Sequence, residues 1–486
     1  MMNFAFPWRR AALVVLCALP LLLLFEAYSV YADKHHYYAP GTALAGTPTK
    51  TSQIHYLMPA TSPNDKFCAV VASVLVNRFP APYITGWRGK GRYNATEAHT
   101  AKLYSLKRYL DALPQGGDDD DLVIFGDGHD VMAQLPADAV VERYFAVAED
   151  ADRRLADRFG LSIEEARARG LRQTLFWGAD KMCWPPLHDE PQCAEVPRSH
   201  LARNIFGPKT ENGDSTYADA RFFNAGSVIG PLGDLRAFID AGVKAIETTF
   251  DSSFKYHSSD QIYLARLWAQ QEVSRSARIE AGADSDSDGE GEVEFHVAID
   301  YESALVQTGC YSHKWMHRLN YNNSDHTALV TEDVFDQGKM FKPVPIQMPG
   351  RVFQSMVRIY KSLPDMRYKI SARDWVGGLK LDTNVATRHI FAFYHATCSK
   401  KDLVKDFKQY WFHPHLKALL GAAFRETKPG TPIADSLIDG RRWEYKTAYP
   451  EEGAWDQLGG VFTDHEAEPF LPFGTLCKGH WDLFEE

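Results

Sequence analysis

Residues 122–130 read L-V-I-F-G-D-G-H-D, four apolar residues followed at once by a glycine and a loop with two aspartates. A short run of apolar, partly β-branched residues predicts a buried β-strand. In open α/β sheets, ligands bind beyond the carboxyl ends of the strands. Asp127 and Asp130 therefore lie where two carboxylates can converge on one divalent cation, which prefers oxygen ligands. The alternative is an ordinary turn rich in Asp and Gly.

Segments of both types continue on either side of this stretch. Short apolar runs predict strands at 68–76 (C-A-V-V-A-S-V-L-V), 174–177 (T-L-F-W), 221–230 (R-F-F-N-A-G-S-V-I-G) and 391–394. Helical spacing predicts helices within 93–113, 135–160, 232–248 and 403–420, and one that begins near 258–260. Strands that alternate with helices predict an α/β fold with a mostly parallel central sheet over residues 53–310. Residues 311–486 carry no recognisable motif and either complete the sheet, bind an acceptor, or do both.

The composition excludes two broad classes of protein. The 486 residues include 63 acidic and 53 basic side chains, which gives a net charge of -10. A general nucleic-acid binder needs a basic face, so no nucleic-acid partner is predicted. Hydrophobic residues make up 45% and aromatic residues 13% of the chain, which excludes disorder throughout and allows a sizeable core.

The N-terminus predicts a membrane anchor. Residues 11–25 are uncharged and follow Arg9 and Arg10. With the mostly apolar residues up to 31, the segment approaches the roughly 20 residues that span a bilayer. Basic residues before a span favour a cytoplasmic N-terminus, so we predict a single-pass type II protein of the Golgi or endoplasmic reticulum membrane with a lumenal body. The alternative is a cleaved signal peptide and a secreted protein.

This interpretation divides the chain into a cytoplasmic tail, an anchor, a stem, a large domain and an extension. The predicted bounds are 1–10 for the tail, 11–31 for the anchor, 32–52 for the stem, 53–425 for the α/β domain with an acidic disordered insertion at 281–294, and 426–486 for the C-terminal extension.

Six cysteines lie in the predicted lumenal part, an even number that fits disulfides in an oxidising compartment. Cys183 and Cys193 bracket a short proline-rich loop and are the preferred pair, while the other pairings stay open. Asn94 and Asn322 lie in sequons for N-glycosylation.

Several further blocks accompany the first stretch in a fixed order. They are G-W-R-G-K-G (86–91), W-G-A-D-K-M-C-W-P (177–185), R-F-F-N-A-G-S-V-I-G (221–230), S-S-D-Q-I-Y (258–263) and I-D-Y-E-S-A-L-V-Q (299–307). This order resembles the glycosyltransferase domain of the procollagen lysyl hydroxylases and collagen glycosyltransferases over about residues 66–309. The resemblance implies a GT-A-like, Rossmann-like domain that binds a UDP-sugar together with Mn²⁺.

Carried over residue by residue, the resemblance implies a site. Asp127 and Asp130 match the metal-binding pair; from its place on the loop, Asp127 reaches either the metal or the ribose of the nucleotide. Trp184 matches an aromatic residue of the donor pocket, and Asn224 matches an asparagine beside the sugar. Asp260 matches an acidic residue that orients donor hydroxyls or acts on the acceptor nucleophile. Each also has a structural interpretation: a loop anchor for Trp184, a backbone bridge for Asn224, and a carboxylate favoured by the helix dipole for Asp260.

The third metal ligand and the phosphate contacts are less directly indicated. His395 follows a predicted strand and precedes Lys400, which suits a loop that closes on a metal and a diphosphate. Lys102 either binds a phosphate or covers the surface of its helix. Three further histidines are alternatives to His395: His389, His413 and His415.

The chain departs from the family at three places. The family's H-G-N-G-P-T block is missing from this chain, and residues 256–259 (Y-H-S-S) replace the family's run of aspartates. The H-W-D at 480–482 has no His or Arg after it to complete an iron site, so lysyl hydroxylation is not predicted.

The predicted function is transfer of a hexose, galactose or glucose, from a UDP-sugar to a protein or glycan acceptor in the secretory pathway. The alternatives are an inactive lumenal scaffold or glycan-binding protein, and a metal-dependent phosphoesterase.

Overall fold

A computed structural model describes residues 47–91, 98–116, 118–281, 293–363, 369–450 and 457–484. The predicted tail, the anchor, most of the stem, the sequon at Asn94 and most of the acidic insertion lie outside these residues. Within the described ranges, no helix has the length and apolar character that crossing a membrane requires.

The strands and helices alternate along much of the chain. The strands are β1 (Thr51–Ser52), β2 (Ile54–Pro59), β3 (Tyr83–Thr85), β4 (Leu122–Gly126), β5 (Val131–Ala133), β6 (Leu175–Asp180), β7 (Phe222–Pro231), β8 (Val297–Ile299), β9 (Val306–Thr308), β10 (Met316–Asn320), β11 (Thr327–Val330), β12 (Val344–Gln347), β13 (Lys380–Asn384), β14 (His389–Ile390), β15 (Phe393–His395), β16 (Arg442–Trp443), β17 (Gly460–Thr463) and β18 (Phe470–Pro472). The α-helices are α1 (Asp65–Val76), α2 (Ala98–Ala112), α3 (Ala137–Phe159), α4 (Ile163–Ala168), α5 (Pro191–Ala194), α6 (Leu232–Thr249), α7 (Asp260–Ala281), α8 (Gly350–Lys361), α9 (Ala372–Gly378), α10 (Leu403–Phe407), α11 (Leu416–Glu426) and α12 (Phe473–Leu476).

The central sheet has eight strands in the order β18-β17-β3-β2-β4-β7-β6-β8. Strands β17, β3, β2 and β4 run parallel to their neighbours in that series, and β6 is parallel to β8. Strand β7 is antiparallel to both β4 and β6. The prediction of a mixed α/β fold with a mostly parallel central sheet is confirmed, and the arrangement is compatible with a Rossmann-like fold.

The alternation of side chains along β4 explains why the sheet is buried on both faces. Ile124 packs on one face with helix α1, whereas Val123 and Phe125 pack on the other face with helices α2, α6 and α7. Successive side chains of a strand point to opposite faces. A sheet covered on both sides therefore requires the continuous apolar run that the sequence shows.

The prediction of a strand at 68–76 is wrong, because these residues form most of helix α1. Every residue from Phe67 to Val76 is buried, so the run lacks the polar face that identifies a helix by its periodicity. The helix begins after Asn64, whose side-chain oxygen accepts the N–H of Phe67 at 2.9 Å. The predicted helix at 403–420 is likewise two helices, α10 and α11, with Pro414 between them.

The last part of the chain builds the edge of the central sheet. Strand β17 pairs in parallel with β3 and antiparallel with β18. A disulfide joins Cys477 to Cys68 of helix α1. Of the alternatives for residues 311–486, completion of the sheet is thus observed.

Two further disulfides lie near the carboxyl ends of strands. The preferred pair Cys183–Cys193 is confirmed, and Cys310 is joined to Cys398. Both close loops that carry residues of the predicted site.

Candidate metal centre

A second, three-stranded sheet brings His395 to the loop after β4. In this sheet β15 lies between β5 and β9, and His395 pairs with Val131 of β5 and Thr308 of β9. Strand β5 begins directly after Asp130, and the N–H of Ala396 donates to the carbonyl of Asp130 at 2.9 Å. A histidine 265 positions away from Asp130 in sequence is therefore its neighbour in space.

Asp127, Asp130 and His395, which we call the metal group, each offer a ligand atom, and these atoms lie within 4.8 Å of one another. The Nε2 atom of His395 is 3.6 Å from Oδ2 of Asp130. Among the residues that the structure describes, no other cluster of three His, Cys, Asp or Glu side chains meets this distance. The predicted ligands are thus brought together.

Two polar atoms of the metal group are buried and unpartnered, namely Oδ1 of Asp130 and Nδ1 of His395. Asp130 is only 1% exposed. A buried polar atom without a hydrogen bond costs about 1–3 kcal/mol. Carboxylate oxygens and an imidazole nitrogen are ligands that Mn²⁺ accepts, so the residues present fit a divalent cation.

Gly226, in the F-N-A-G block, makes room for the imidazole. A Cβ at this position would lie 2.1 Å from Cε1 and 2.7 Å from Nε2 of His395. The carbonyl of Gly226 also accepts the N–H of Asp127 at 2.8 Å. Any side chain at residue 226 would displace His395, so the glycine positions one metal ligand and its backbone another.

Lys102 is buried next to Asp127. The prediction that it covers the surface of its helix is therefore wrong. It is 6% exposed, and its Nζ lies 3.1 Å from Oδ1 of Asp127 and 2.6 Å from Oδ2 of Asp260. Burial opposes the charge of the ammonium, but Asp127 and Asp260 outweigh it and hold the pKa of Lys102 above its ordinary value. Lys102 thus remains a cation that links the two carboxylates.

The two aspartates of the metal group have opposite pKa shifts. Burial raises the pKa of Asp127, and Lys102 offsets this only in part. Burial also acts on Asp130, but His395 and Lys400 outweigh it and hold the pKa of Asp130 well below its usual range. For His395, burial is outweighed by Asp130, which raises the pKa of the imidazole. The negative charge of Asp130 and the positive charge of the groups beside it therefore stabilise each other.

Lys400 supplies part of that positive charge from a tethered loop. Its Nζ forms an ion pair with Oδ2 of Asp130, and its side chain is 51% exposed. The Cys310–Cys398 disulfide and a hydrogen bond of 2.8 Å from the N–H of Cys310 to Oγ1 of Thr397 fix the loop. Lys400 therefore lies beside the metal group, and its contact with a diphosphate stays a prediction.

Asn224 extends the site through Asp180, a residue that the sequence analysis missed. Its Nδ2 donates to Oδ2 of Asp180 at 2.8 Å, and its Oδ1 accepts the N–H of Gly226 at 3.0 Å. Oδ1 of Asp180 is buried without a partner. Burial raises the pKa of Asp180, and Asn224 offsets part of that shift. The sequence does contain an indication of this role: Asp180 is a carboxylate at the end of strand β6, at the same sheet edge as Asp127.

Trp184 lies at the rim, with 53% of its surface exposed. Its carbonyl accepts Nε2 of Gln261 at 3.1 Å, and Oε1 of Gln261 accepts the N–H of Ala225 at 3.2 Å. Its ring makes an edge contact with Tyr256, at 5.8 Å between centroids. Gln261 thus joins the C-W-P, F-N-A-G and D-Q blocks, and contact of Trp184 with a donor stays a prediction.

The alternative histidines lie elsewhere. His389 pairs with Oε2 of Glu302 at 3.0 Å, and His413 donates to the carbonyl of Leu483 at 2.9 Å. His415 precedes helix α11. His480 of the H-W-D forms an ion pair with Asp65.

No protein-family model matches this chain, and no curated protein matches it significantly.

Proposed function

We propose that this protein is a metal-dependent hexosyltransferase with a GT-A-like fold that uses a UDP-sugar as donor. The observation that carries the proposal is the metal group: two carboxylates and an imidazole at the exit of strand β4, with buried atoms that lack partners. Ligands of open α/β sheets bind at this edge. The choice of a UDP-sugar and Mn²⁺ comes from the ordered sequence blocks, which resemble those of glycosyltransferases that use both.

In this proposal the metal group holds Mn²⁺ through Asp127, Asp130 and His395. The bound ion supplies Lewis acidity toward the oxygens of the diphosphate. Glycosyl transfer passes through an oxocarbenium-like state, so stabilising the charge on the departing UDP is the main requirement. Lys400 is half-exposed on Asp130 and is placed to exchange that carboxylate for a phosphate oxygen.

Asp260 and Lys102 have a positioning role. Asp260 is 4% exposed and paired with Lys102, so it is poorly placed to accept a proton from an acceptor. The pair instead holds the carboxylate of Asp127 from below, and the predicted contact of Lys102 with a phosphate becomes secondary. In this proposal Asn224 and Asp180 orient the hydroxyls of the donor hexose, and the unpartnered Oδ1 of Asp180 is the acceptor available for one of them.

The proposed setting is the lumen of the Golgi or endoplasmic reticulum, with residues 11–31 as anchor and a protein or glycan as acceptor. The three disulfides of the described residues support this setting, because such bonds persist in oxidising compartments.

The test is UDP release from a panel of UDP-hexoses with and without Mn²⁺. We expect release that depends on Mn²⁺ and falls at least about 100-fold in Asp130→Asn, since even the loss of a group that only supports a ligand costs roughly 10- to 100-fold. Asp435→Asn is the matched control, because the Asp435 side chain is 81% exposed.

Two other outcomes would contradict the proposal. Release of inorganic phosphate or hexose 1-phosphate in place of UDP would identify a phosphoesterase. Absence of both turnover and Mn²⁺-dependent UDP binding would identify a scaffold.

A further inference from the structure

A cavity of about 540 Å³ is lined by residues between Arg198 and Arg221. Strand β6 ends at Asp180, and β7 begins at Phe222, so residues 181–221 leave and rejoin the sheet between these two strands. Strand β6 runs in the same direction as β4, because both are antiparallel to β7. The segment that lines the cavity therefore starts and ends at the same sheet edge as the metal group.

One lining residue, Arg221, comes directly before strand β7, which leads to the metal group. Phe222 lies four residues before Gly226 on β7, and Gly226 is the residue on which His395 packs. Four residues of a strand span roughly 13 Å. A short oligosaccharide covers that distance.

Three arginines line the cavity: Arg198, Arg203 and Arg221. Arg221 donates to the carbonyl of Val196 at 3.5 Å and lies over the ring of Phe222. Within the part of the chain that the structure describes, the guanidinium groups of Arg198 and Arg203 have no hydrogen-bond or ion-pair partner. Their charge is available to a ligand.

Two acidic residues of the cavity are engaged with the backbone and a hydroxyl. Asp219 accepts the N–H of Ser199 at 2.9 Å and its hydroxyl at 2.6 Å. Glu211 accepts the N–H of Asp219 at 2.5 Å. These carboxylates fix the shape of the loop and form no ion pair with the three arginines. The lining thus combines two carboxylates held in place by hydrogen bonds with the guanidinium groups of Arg198 and Arg203, which have no partner among the described residues.

We propose that this cavity binds an anionic sugar of a glycan acceptor, a hexose that carries a carboxylate or a phosphate; this inference rests on the function proposed above. Guanidinium groups recognise both anions through paired hydrogen bonds. The volume falls within the roughly 300–1,000 Å³ of small-molecule sites, which suits a sugar ring with its anion. An acidic peptide is the less suitable ligand, because extended peptides bind along open edges or grooves.

The test measures calorimetric binding of three oligosaccharides that differ only in the terminal sugar: glucuronate, glucose 6-phosphate or glucose. We expect one or both charged forms to bind at least about tenfold more tightly than the neutral form, and their ratio distinguishes carboxylate from phosphate recognition. Arg198→Gln and Arg203→Gln should each weaken the charged form by roughly 10- to 100-fold. Arg203→Lys should retain part of the affinity.

Arg153→Gln is the control, because Arg153 is an exposed arginine of helix α3 that pairs with Glu149 and Asp150 of the same helix. It should leave all three affinities unchanged. Equal binding of charged and neutral forms, unchanged binding in both cavity variants, or tighter binding of an acidic peptide would overturn the inference.

Mn²⁺-dependent UDP binding, measured on the same samples, separates this inference from the proposed function. Both glutamine variants should retain it. If UDP binding is intact and the charged oligosaccharide is not preferred, the inference alone fails. If the wild type does not bind UDP, the proposed function fails and the acceptor assignment fails with it.

Discussion

Two buried clusters of charged residues, the metal group and a network around Arg275, differ in how completely their polar atoms are satisfied. Arg275 is 1% exposed, and its guanidinium binds Glu272 at 2.7 Å and Glu294 at 2.7 and 2.9 Å. Glu272 in turn binds Arg158 at 3.0 Å. The metal group instead leaves Oδ1 of Asp130 and Nδ1 of His395 without partners.

The difference separates a structural cluster from a functional one. In the Arg275 network each charge has a partner of opposite sign, so its loss should affect stability alone. In the metal group the buried atoms without partners lower the stability of the fold. They lie where a cation can bind, which is typical of a functional site. Mutations in the two clusters should therefore have opposite signatures.

The largest effect on stability is expected for Arg275→Met. The substitution removes the guanidinium that binds Glu294 and leaves Glu272 with Arg158 alone, and breaking a buried ion network in this way costs about 3–5 kcal/mol of the free energy of unfolding. Urea denaturation should show this loss, with Mn²⁺ affinity unchanged in the folded fraction. Arg153→Met on the exposed side of helix α3 should change stability little. A loss of Mn²⁺ affinity in Arg275→Met would break the distinction between the clusters.

Asp130→Asn should have the opposite signature. It removes a charge that pairs with His395 and Lys400, so the free energy of unfolding without metal should fall, but by less than in Arg275→Met, because Oδ1 of Asp130 has no partner and the half-exposed Lys400 can be hydrated. Mn²⁺ affinity should fall by at least about 100-fold, equivalent to roughly 2.7 kcal/mol. Calorimetric titration with Mn²⁺ and urea denaturation measure the two quantities. A strongly destabilised variant would show that Asp130 is structural.

The metal group also shows what the sequence could reveal. The carboxylates after β4 were predicted because strand and loop are contiguous, so a local pattern carries the information. His395 was indicated only by its own strand and the lysine behind it. The contact between His395 and Gly226 depends on pairing between distant strands, which no local pattern records.

Helix α1 and Lys102 show what local sequence patterns cannot predict. Helix α1 is buried all round, so its sequence lacks the polar face that distinguishes a helix from a buried strand. Lys102 was compatible with an exposed helix face because lysine is usually exposed. Its burial depends on Asp127 and Asp260, which come from two other elements.

Gly226→Ala should have an intermediate effect on both quantities. The added methyl group would overlap the imidazole of His395, and such overpacking costs about 1–3 kcal/mol of stability. Because His395 must move, Mn²⁺ affinity should fall by roughly 10- to 100-fold, as for loss of a group that supports a ligand. Gly350→Ala is the control, since no atom lies within 4 Å of the added carbon. Unchanged Mn²⁺ affinity in Gly226→Ala would remove His395 from the ligand set.

The smallest effect concerns Lys181, a buried amine that forms no ion pair in the described part of the structure. Its Nζ donates to the carbonyls of Thr216 and Ala218, and burial lowers its pKa from 10.5 to about 7. Between pH 7 and about 10 the unfolded chain binds more protons at this residue than the folded chain, so its contribution to stability rises with pH by about 1 kcal/mol per unit. Below pH 7 both states are protonated, and the dependence ends.

Urea denaturation of the wild type and Lys181→Met between pH 7 and 9 tests this difference. The wild type should gain stability relative to the variant as the pH rises. A gap that stays constant with pH would mean that Lys181 is charged in the folded protein.

The most direct test is anomalous diffraction from crystals of the protein soaked with Mn²⁺ and UDP. We expect one Mn²⁺ peak in contact with Asp130 and His395, with the diphosphate of UDP bound to the same ion. A bound UDP with no Mn²⁺ at Asp127, Asp130 and His395, or an Mn²⁺ peak elsewhere on the chain, would contradict it.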